Sequence, residues 1–433
     1  MSEVKIPEGY KQTEVGAIPK DWEVEPLKSL LKEPPKYGIN AAAVPLTGNL
    51  PVYIRITDIS EDGYYSPEKV VGVNNPFSSS YILNEGDIVL ARTGASVGKS
   101  YLYRKEDGTL IYAGFLIKVS PNENQLNPKY LHQYLKTEQY WAWVIVNSMR
   151  SGQPGINGNE YGRLLIPLPS IEEQTAIATA LSDVDNLIQS LEKLIAKKEV
   201  IKTGTMQQLI TGKTRLPEFA TCDDGNPKGF KQTELGRIPE DWEVVRIIDN
   251  HIIATGNTPP TNDQRNYKGK FLFVSPADLG TNKLIHNTQK KLSLKGFKLA
   301  RKFPKGSTLF TCIGSTIGKT GLATCELTSN QQINAVFPNE IDDFEFTYYA
   351  LTHHSKRIKN KASEQAVPLI NKTEFGQFEY MQPNELKEQT AIATILSDMD
   401  TEIQALQQRL EKTKDIKQGM MQQLLTGKVR LAH

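Results

Sequence analysis

The chain has 433 residues, enough for about two to four globular domains. Hydrophobic residues make up 39% and charged residues 23%, which excludes a disordered or collagen-like protein. Fifty-one basic residues against 49 acidic ones leave a net charge of +2, so charge alone neither requires nor excludes a nucleic-acid partner. The sequence has no apolar signal segment and no stretch of about 18 apolar residues, so we predict no membrane partner.

The cysteines indicate a reducing compartment. Cys222, Cys312 and Cys325 are an odd number and lack the spacing of a metal site. We therefore predict a cytoplasmic protein.

The first part of the chain reads as mixed α/β structure. It begins with the string GYKQTEVGAIPKDWEV at residues 9–24, and short strand-like runs follow at 52–59 and 87–92. Turn-forming strings such as EDGYYSP separate these runs. An amphipathic helix is predicted at 128–146.

A long helix follows this α/β region. Ser170 and Glu173 have the Ser-x-x-Glu spacing of a capping box, and Gly212 suits the C-terminal end. Between these signals, apolar residues recur at alternating steps of three and four, as in the seam of a coiled coil. The seam residues are Leu181, Val184, Ile188, Leu191 and Ile195.

The second half of the chain repeats the first. The opening string returns as GFKQTELGRIPEDWEV at 229–244, and Lys11 corresponds to Lys231. Strand-like runs return at 270–279, and a second amphipathic helix is predicted at 344–362. The second long helix carries a matching seam, formed by Leu396, Met399, Ile403, Leu406 and Leu410. The ends of the two copies match closely and their middles differ.

This pattern predicts a tandem repeat of mixed α/β domains, each followed by a long helix. The boundaries we predict are 1–170 for the first domain, 171–215 for the first helix, 216–383 for a linker with the second domain, and 384–433 for the second helix. Each helix would be about 40 residues, or roughly 60 Å, long. Because both seams need a partner, we expect the helices to pack together as an antiparallel coiled coil with pseudo-twofold symmetry.

Each copy also contains a glycine-rich string that is similar to a phosphate-binding loop. RTGASVGKS at 92–100 and GSTIGKT at 314–320 both have three residues between their glycines, where the P-loop has four before its Gly-Lys pair. The shorter spacing changes which backbone amides point inward. We therefore predict glycine turns between strands, with Lys99 and Lys319 available for a phosphate contact.

These features together resemble the specificity subunit of type I restriction–modification systems. The resemblance rests on IPKDWEV and IPEDWEV, on the two glycine strings, on IPLPSIEEQTAIA at 166–178 and on MQQLLTGKVRL at 421–431. It covers nearly the whole chain. The second helix entry, MQPNELKEQTAIA, departs from it by lacking one proline.

The resemblance implies a DNA-reading subunit without catalytic residues or a cofactor of its own. Each domain would read one half of a split target in double-stranded DNA, and the helices would set the spacer between the halves. Two modification subunits would dock on the helices and methylate adenine, and restriction subunits would join them in defence against foreign DNA.

The residues themselves also give no sign of catalysis. The best match to the Asn-Pro-Pro-Tyr string expected of an adenine methyltransferase is NNPF at 74–77, which lacks the second proline. No Gly-x-Gly cofactor loop follows a predicted strand, and the six histidines are scattered. We therefore predict no metal site and no enzyme activity.

Base-reading residues should be polar or basic and should lie in loops that differ between the copies, because the two half-sites differ. Arginine can bind guanine with two hydrogen bonds, and glutamine or asparagine can bind adenine likewise. The candidates are Arg55, Thr57, Arg92, Ser96, Arg150, Gln153, Asn157, Asn257, Thr258, Ser275, Gln331, Gln332 and Asn334.

Two other function classes stay open at this level. One is a nucleotide-binding enzyme that uses the glycine strings, and saturable ATP binding would support it. The other is a coiled-coil adaptor without a DNA role, which would show no binding to duplex DNA alongside a modification subunit.

Overall fold

The computed structural model describes residues 6–362 and 368–431 and forms two compact units. The first unit consists of the chain up to Leu191 together with the chain from Arg409 onward. The second unit runs from Glu192 to Gln408. Each unit therefore contains one α/β region and a part of both long helices.

The first repeat consists of short strands, three short helices and one long helix. In chain order its elements are β1 (Tyr10–Thr13), β2 (Gly16–Pro19), β3 (Glu23–Pro26), β4 (Lys36–Tyr37), β5 (Ala43–Pro45), β6 (Val52–Ile54), β7 (Val71–Val73), β8 (Ile88–Ala91), β9 (Ser100–Leu102), β10 (Leu110–Tyr112), β11 (Leu116–Val119), α1 (Pro128–Tyr134), α2 (Glu138–Ser148), α3 (Gly158–Gly162), β12 (Leu165–Leu168) and α4 (Ile171–Ile210).

The second repeat has a similar series of elements. They are β13 (Phe230–Thr233), β14 (Gly236–Pro239), β15 (Trp242–Arg246), α5 (Ile247–Asn250), β16 (Ile253–Thr255), β17 (Tyr267–Val274), β18 (Leu284–Ile285), β19 (Lys290–Leu292), α6 (Leu294–Leu299), β20 (Lys302–Phe303), β21 (Thr308–Thr311), β22 (Thr320–Ala323), β23 (Leu327–Ser329), β24 (Ile333–Val336), α7 (Phe344–His353), α8 (Ser355–Lys359), α9 (Lys372–Gly376), β25 (Glu379–Pro383) and α10 (Leu386–Leu424).

The sheets of the two units share their main strand pairings and differ at their edges. The first unit has two four-stranded sheets, in the orders β10-β6-β7-β5 and β4-β11-β8-β9. The second unit has sheets in the orders β19-β17-β23-β20 and β16-β24-β21-β22-β18. The parallel pair of β6 with β10 returns as β17 with β23. The predicted mixed α/β repeat is therefore confirmed.

Each α/β region begins and ends at one paired set of strands. In the first unit β3 pairs antiparallel with β12, and Leu27 N–H donates to the carbonyl of Leu164 at 2.8 Å. In the second unit β15 pairs antiparallel with β25, and Ile247 N–H donates to the carbonyl of Phe378 at 3.2 Å. The chain therefore enters and leaves each domain at neighbouring positions.

The long helices pack antiparallel, as the seam predicts. In the first unit Lys417 of α10 forms an ion pair with Asp185 of α4 at 2.6 Å. In the second unit Lys198 of α4 contacts Glu402 of α10 at 2.7 Å. Residue numbers thus rise along one helix as they fall along the other. All ten seam residues are buried or partly buried.

Both long helices end at glycines that are held in the left-handed backbone region. Gly212 has φ +64° and Gly427 has φ +68°. A Cβ on Gly212 would lie 2.6 Å from Pro239 Cδ, and one on Gly427 would lie 2.4 Å from Pro19 Cγ. Glycine is therefore required twice over, by the turn and by close packing on the repeated Ile-Pro string.

The repeated strings of the sequence meet in a cluster that we call the clasp. In the first unit Trp22 Nε1 donates to Glu173 at 3.2 Å, and Arg430, just beyond α10, binds the carboxylates of both Glu173 and Asp21. Glu173 N–H also bonds to Ser170 Oγ at 3.3 Å, which is half of the predicted capping box. The Glu173 carboxylate goes to Trp22 and Arg430 instead of completing the box.

The second unit has the same clasp, with its arginine supplied by the first repeat. Trp242 Nε1 donates to Glu388 at 3.2 Å, and Arg215, just beyond α4, binds Glu388 at 2.6 Å and Asp241 at 2.8 Å. Lys228 adds a bond to Asp241 at 2.9 Å. The end of one repeat thus closes the domain of the other in each unit.

The first unit buries a lysine between its domain and the helix pair. The Lys136 ammonium nitrogen is buried without a hydrogen-bond partner within residues 6–362 and 368–431. The Lys136 Nζ lies 5.2 Å from the centroid of the Tyr64 ring, in a cation–π contact. Burial lowers the pKa of Lys136 to about 8, with Lys417 and Arg104 lowering it further and Asp185 and Asp62 opposing the shift.

We expect Lys136→Met to stabilise the first unit at pH 7, by up to about 3 kcal/mol, because methionine removes the cost of a buried ammonium. The folded pKa lies below the unfolded value of about 10.4, so wild-type stability rises with pH between about 8 and 10.4. Urea unfolding at pH 7 and pH 10 measures the difference between the two proteins. The gain should shrink at pH 10, and a constant difference would contradict the buried-charge explanation.

Candidate nucleic-acid interface

The two glycine strings form matching turns between antiparallel strands. The first connects β8 to β9 and the second connects β21 to β22. A phosphate-binding loop instead leads from a strand into a helix. The backbone amides of these turns are also occupied. Four N–H groups in the first turn donate to carbonyls, namely Gly94 to Pro154, Val97 to Gly94, Gly98 to Ala91 and Lys99 to Ser96.

The second turn repeats these bonds, from Gly314 to Pro368, Ile317 to Gly314, Gly318 to Thr311 and Lys319 to Thr316. Amides that already donate to carbonyls cannot encircle a phosphate. The geometry therefore argues against the nucleotide-binding alternative.

The second glycine of each turn has a backbone angle that favours glycine, and in the first turn close packing requires it as well. Gly98 has φ +91°, and a Cβ there would lie 2.8 Å from Val144 of α2. Gly318 has φ +97°, and its Cβ would meet Ser355 of α8 at 3.4 Å. The first turn thus packs against α2 and the second turn against α8.

Both turn lysines bind groups of their own unit. Lys99 Nζ lies 2.5 Å from Glu61, whose side chain is 84% exposed. Lys319 Nζ donates to the carbonyl of Pro276 at 3.4 Å. An ion pair with so exposed a partner contributes little, so Lys99 can exchange Glu61 for a phosphate at small cost. A phosphate contact by either lysine stays a prediction.

Three first-domain candidates surround the first turn. Arg92 stacks on the Tyr37 ring at 4.8 Å. Gln153 lies over Gly94, where its Nε2 would be 2.9 Å from an added Cβ. Ser96 lies within the turn and is partly exposed. All three side chains therefore lie in the first turn or directly beside it.

The remaining first-domain candidates are more constrained. Arg150 is exposed but bonds Glu160 at 2.6 Å, and Asn157 caps α3 through the Glu160 amide at 3.0 Å. Arg55 forms two hydrogen bonds to the buried Asp58, at 2.9 and 2.7 Å. Thr57 is exposed beside it. Arg55 and Asn157 thus have structural partners that a DNA base would have to replace.

In the second domain, two candidates bond to each other beside the second turn. Thr258 Oγ1 donates to Gln331 Oε1 at 2.6 Å. Gln332 accepts the Cys312 amide at 2.8 Å through its carbonyl, which connects this pair to the start of the turn. Asn257 accepts the Arg301 amide at 2.6 Å.

Asn334 is a correction to the candidate set. It is 3% exposed, and its side chain bonds Thr255 Oγ1 at 2.7 Å and Cys312 Sγ at 3.2 Å. It lies on β24, which is central in its sheet, so it cannot reach a base. Ser275 is partly exposed, and its hydroxyl donates a hydrogen bond to the Asp278 carboxylate at 2.7 Å.

The sequence reasoning missed two lysines beside the second turn. Lys356 and Lys359 are exposed on α8, and both line a cleft of about 440 Å³ with Lys319, Ser315 and Ser355. Their signal in the sequence is the basic run SKRIKNK at 355–361, which lies within the predicted amphipathic helix. The first unit has the apolar string WAWVIV at 141–146 on the corresponding helix.

The described residues contain neither a cluster of metal ligands nor a membrane-spanning helix. Within residues 6–362 and 368–431, no group of three or more His, Cys, Asp and Glu side chains could hold a metal ion. In the same part of the chain, no helix is both long enough and apolar enough to cross a membrane.

Comparison with known proteins identifies the class to which these duplicated units belong. The model of the type I restriction modification DNA specificity domain matches residues 19–202 and again 239–414. The putative type I restriction enzyme MjaX specificity subunit of Methanocaldococcus jannaschii is 28% identical over 443 residues, with 98% of this chain and 97% of that protein covered.

Two further proteins of the same class are similar to this chain. The MjaVIII specificity subunit of the same organism is 27% identical over 444 residues, covering 98% and 96% of the two chains. The crystal structure of the type I restriction-modification S subunit from M. genitalium shares the fold, with a TM-score of 0.60 at 15% identity over 97% of this chain and 98% of that one.

The chain belongs to the family of type I restriction-modification DNA specificity subunits. Its role is DNA recognition and it is a non-catalytic member of its complex. The resemblance drawn from the sequence is thereby confirmed, and neither alternative function is supported.

Proposed function

We propose that each unit reads one half of a two-part DNA target with the surface around its glycine turn. One observation carries this proposal: the two units keep the same turn and supporting frame, while the side chains around the turn differ. Arg92 and Gln153 surround the first turn, and Thr258, Gln331 and Lys356 lie near the second. A shared frame with different exposed side chains suits two unlike half-sites.

The paired helices serve in this proposal as the spacer and as the docking site for two modification subunits. Each helix is continuous, with 40 residues in α4 and 39 in α10, or about 60 Å at 1.5 Å per residue. Exposed apolar side chains along them, among them Val200 at 73% and Ile416 at 49%, offer contact area to a partner. Restriction subunits would join this complex.

The complex would work on cellular DNA in the cytoplasm. All three cysteines are free, and Cys222 and Cys325 are exposed. Exposed free thiols suit a reducing compartment.

The test is to co-express the chain with a modification subunit and to map methylated adenines by sequencing. A split motif, with two defined parts separated by a fixed number of unspecified bases, is expected. A single uninterrupted motif would contradict the assignment of one half-site to each unit. A strain that lacks this chain is the control, and it should show no such methylation.

A further inference from the structure

The two units differ sharply in charge over one matched segment. Residues 263–305 contain eleven Lys and Arg and two Asp, a net charge of +9. The matched residues 43–85 contain two basic and five acidic residues, a net charge of −3. The match is set by equivalent turns, in which Asp278 accepts the Ser275 amide and Asp58 accepts the Arg55 amide. The nearly neutral total for the chain conceals this contrast.

Part of the basic segment surrounds a cleft of about 640 Å³ in the second unit, which we call the lysine cleft. Its lining includes Tyr267 and the buried Phe273. The polar and basic side chains of the lining that matter here are Thr258, Gln264, Lys268, Gln289, Lys290 and Lys291. Basic side chains clustered on one surface are the electrostatic signature of a nucleic-acid site.

The walls of the lysine cleft are held by hydrogen bonds from residues beneath them. Tyr267 Oη donates to the carbonyl of Pro259 at 2.7 Å, which fixes the loop that carries Thr258. Asp278 accepts the Gln289 amide at 2.8 Å, which fixes the start of β19. The cleft is therefore formed in the free protein, so binding need not order it.

The backbone is strained at one point of this cleft. Lys268 has φ +59°, and it is the one non-glycine residue with positive φ among residues 6–362 and 368–431. It lies within an irregular stretch of the sheet, since the pairing of β17 with β19 shifts register between Tyr267 and Phe271. Lysine gains nothing from this backbone conformation, and glycine would adopt it freely. Strain of this kind is characteristic of functional sites.

The cleft lysines have no internal counter-charge. Lys268 and Lys290 are exposed and Lys291 is partly exposed. Within the described residues no carboxylate forms an ion pair with any of the three. The strand register identifies the residue of the first unit that occupies the position of Lys291. Leu272 pairs with Lys291, and the equivalent pair in the first unit is Val52 with Gly72.

We infer that the lysine cleft binds the sugar–phosphate backbone of the DNA duplex and that the second domain supplies most of the sequence-independent attraction to DNA. The inference rests on the proposed DNA-reading function. It adds that the two domains contribute unequally to DNA affinity. The three ammonium groups contact phosphates, and the exposed Gln289 lies beside them, where its side-chain amide can reach a base edge. The first domain, acidic over the matched segment, contributes mainly base contacts.

The experiment measures binding of the chain with its modification subunit to duplex DNA across a range of salt concentrations. Lys290→Ala/Lys291→Ala should weaken binding about tenfold, for target and non-target duplexes alike, and should lower the slope of log K against log salt by about 2. The matched control is Lys298→Ala/Lys305→Ala. It removes two exposed lysines from the same segment outside the cleft and should leave the slope near that of the wild type.

Lys268→Gly separates a binding role from a structural one. Glycine relieves the backbone strain, so the free protein should melt at a higher temperature while its affinity for DNA falls as in Lys268→Ala. Gln289→Ala should relax the sequence preference in one half-site only and leave the salt slope unchanged.

The outcomes separate the two proposals. Equal losses in the cleft and control variants, or an unchanged slope in the cleft variant, would overturn the cleft assignment while wild-type binding upholds DNA recognition. Wild-type complex that fails to bind any duplex would overturn the proposed function and the cleft together.

Discussion

Arg215→Ala is expected to destabilise the second unit by about 3–5 kcal/mol, because it leaves a buried carboxylate without its counter-charge. The Glu388 side chain is 3% exposed and that of Arg215 is 7% exposed. Burial raises the pKa of Glu388 even with Arg215 in place. Without the guanidinium, the ionised carboxylate would keep only its bond to Trp242 among those described.

The pH dependence of this defect has a definite sign. Removing Arg215 raises the pKa of Glu388 further, so the folded variant takes up a proton that the unfolded chain, with a glutamate pKa of about 4.3, does not hold. Stability of the variant therefore falls as pH rises above about 4.3, and it falls further than that of the wild type, whose Glu388 has the smaller pKa shift. Urea unfolding at pH 5 and pH 8 should show the larger loss at pH 8.

The other clasp provides a matched control. Arg430 makes the equivalent bonds to Glu173 and Asp21, but its side chain is 42% exposed against 7% for Arg215. Water can replace more of the lost interaction there, so Arg430→Ala should cost less than Arg215→Ala. Glu388→Gln combined with Arg215→Met should recover part of the stability, as a double-mutant cycle would measure. Equal losses at the two arginines would show that burial does not govern the clasp.

The long helices could be predicted from the sequence because the residue pattern that specifies them is local and occurs in both repeats. The 3-4 spacing defines the apolar seam, and glycines terminate both copies in the same way. The structure ends them at Ile210 and Leu424, two and three residues before Gly212 and Gly427. The glycine turns were likewise predictable, since their spacing already differed from that of a phosphate-binding loop.

The sequence did not show in this way which segments of the chain make up each compact unit. Arg430 bonds to Glu173, 257 positions away along the chain, and no local pattern specifies that pairing. The repeated strings IPKDWEV and MQQLLTGKVRL were visible, but their mutual contact was not. Only a folded chain shows that the end of one repeat completes the domain of the other.

The candidate site was predicted less well than the fold. Asn334 is polar and lies in a variable region, but all four residues of β24 are buried, so its strand carries no exposed face. The net charge of the whole chain hides the contribution of Lys290 and Lys291. A count by matched segments reveals them without any structure.

Replacing residues 27–164 with residues 247–378 of the same chain should give a protein that reads one half-site twice. The junctions are geometrically equivalent, since Leu27 bonds to Leu164 in the first unit as Ile247 bonds to Phe378 in the second. Both pairs lie directly beside the strand pair through which the chain enters and leaves its domain, β3 with β12 and β15 with β25. Domains whose ends are neighbours tolerate such exchange.

The clasp residues all lie outside the exchanged segment, so both units should still close. Methylated adenines mapped in cells that also express the modification subunit should then show the half-site of the second domain in both parts of the motif. The reciprocal chain, with residues 247–378 replaced by 27–164, should show the other half-site twice. Because the first chimera carries two copies of the +9 segment and the reciprocal chimera none, their salt slopes should lie on opposite sides of the wild-type value. A folded chimera that still methylates the original two-part motif would rule out independent reading by the two domains.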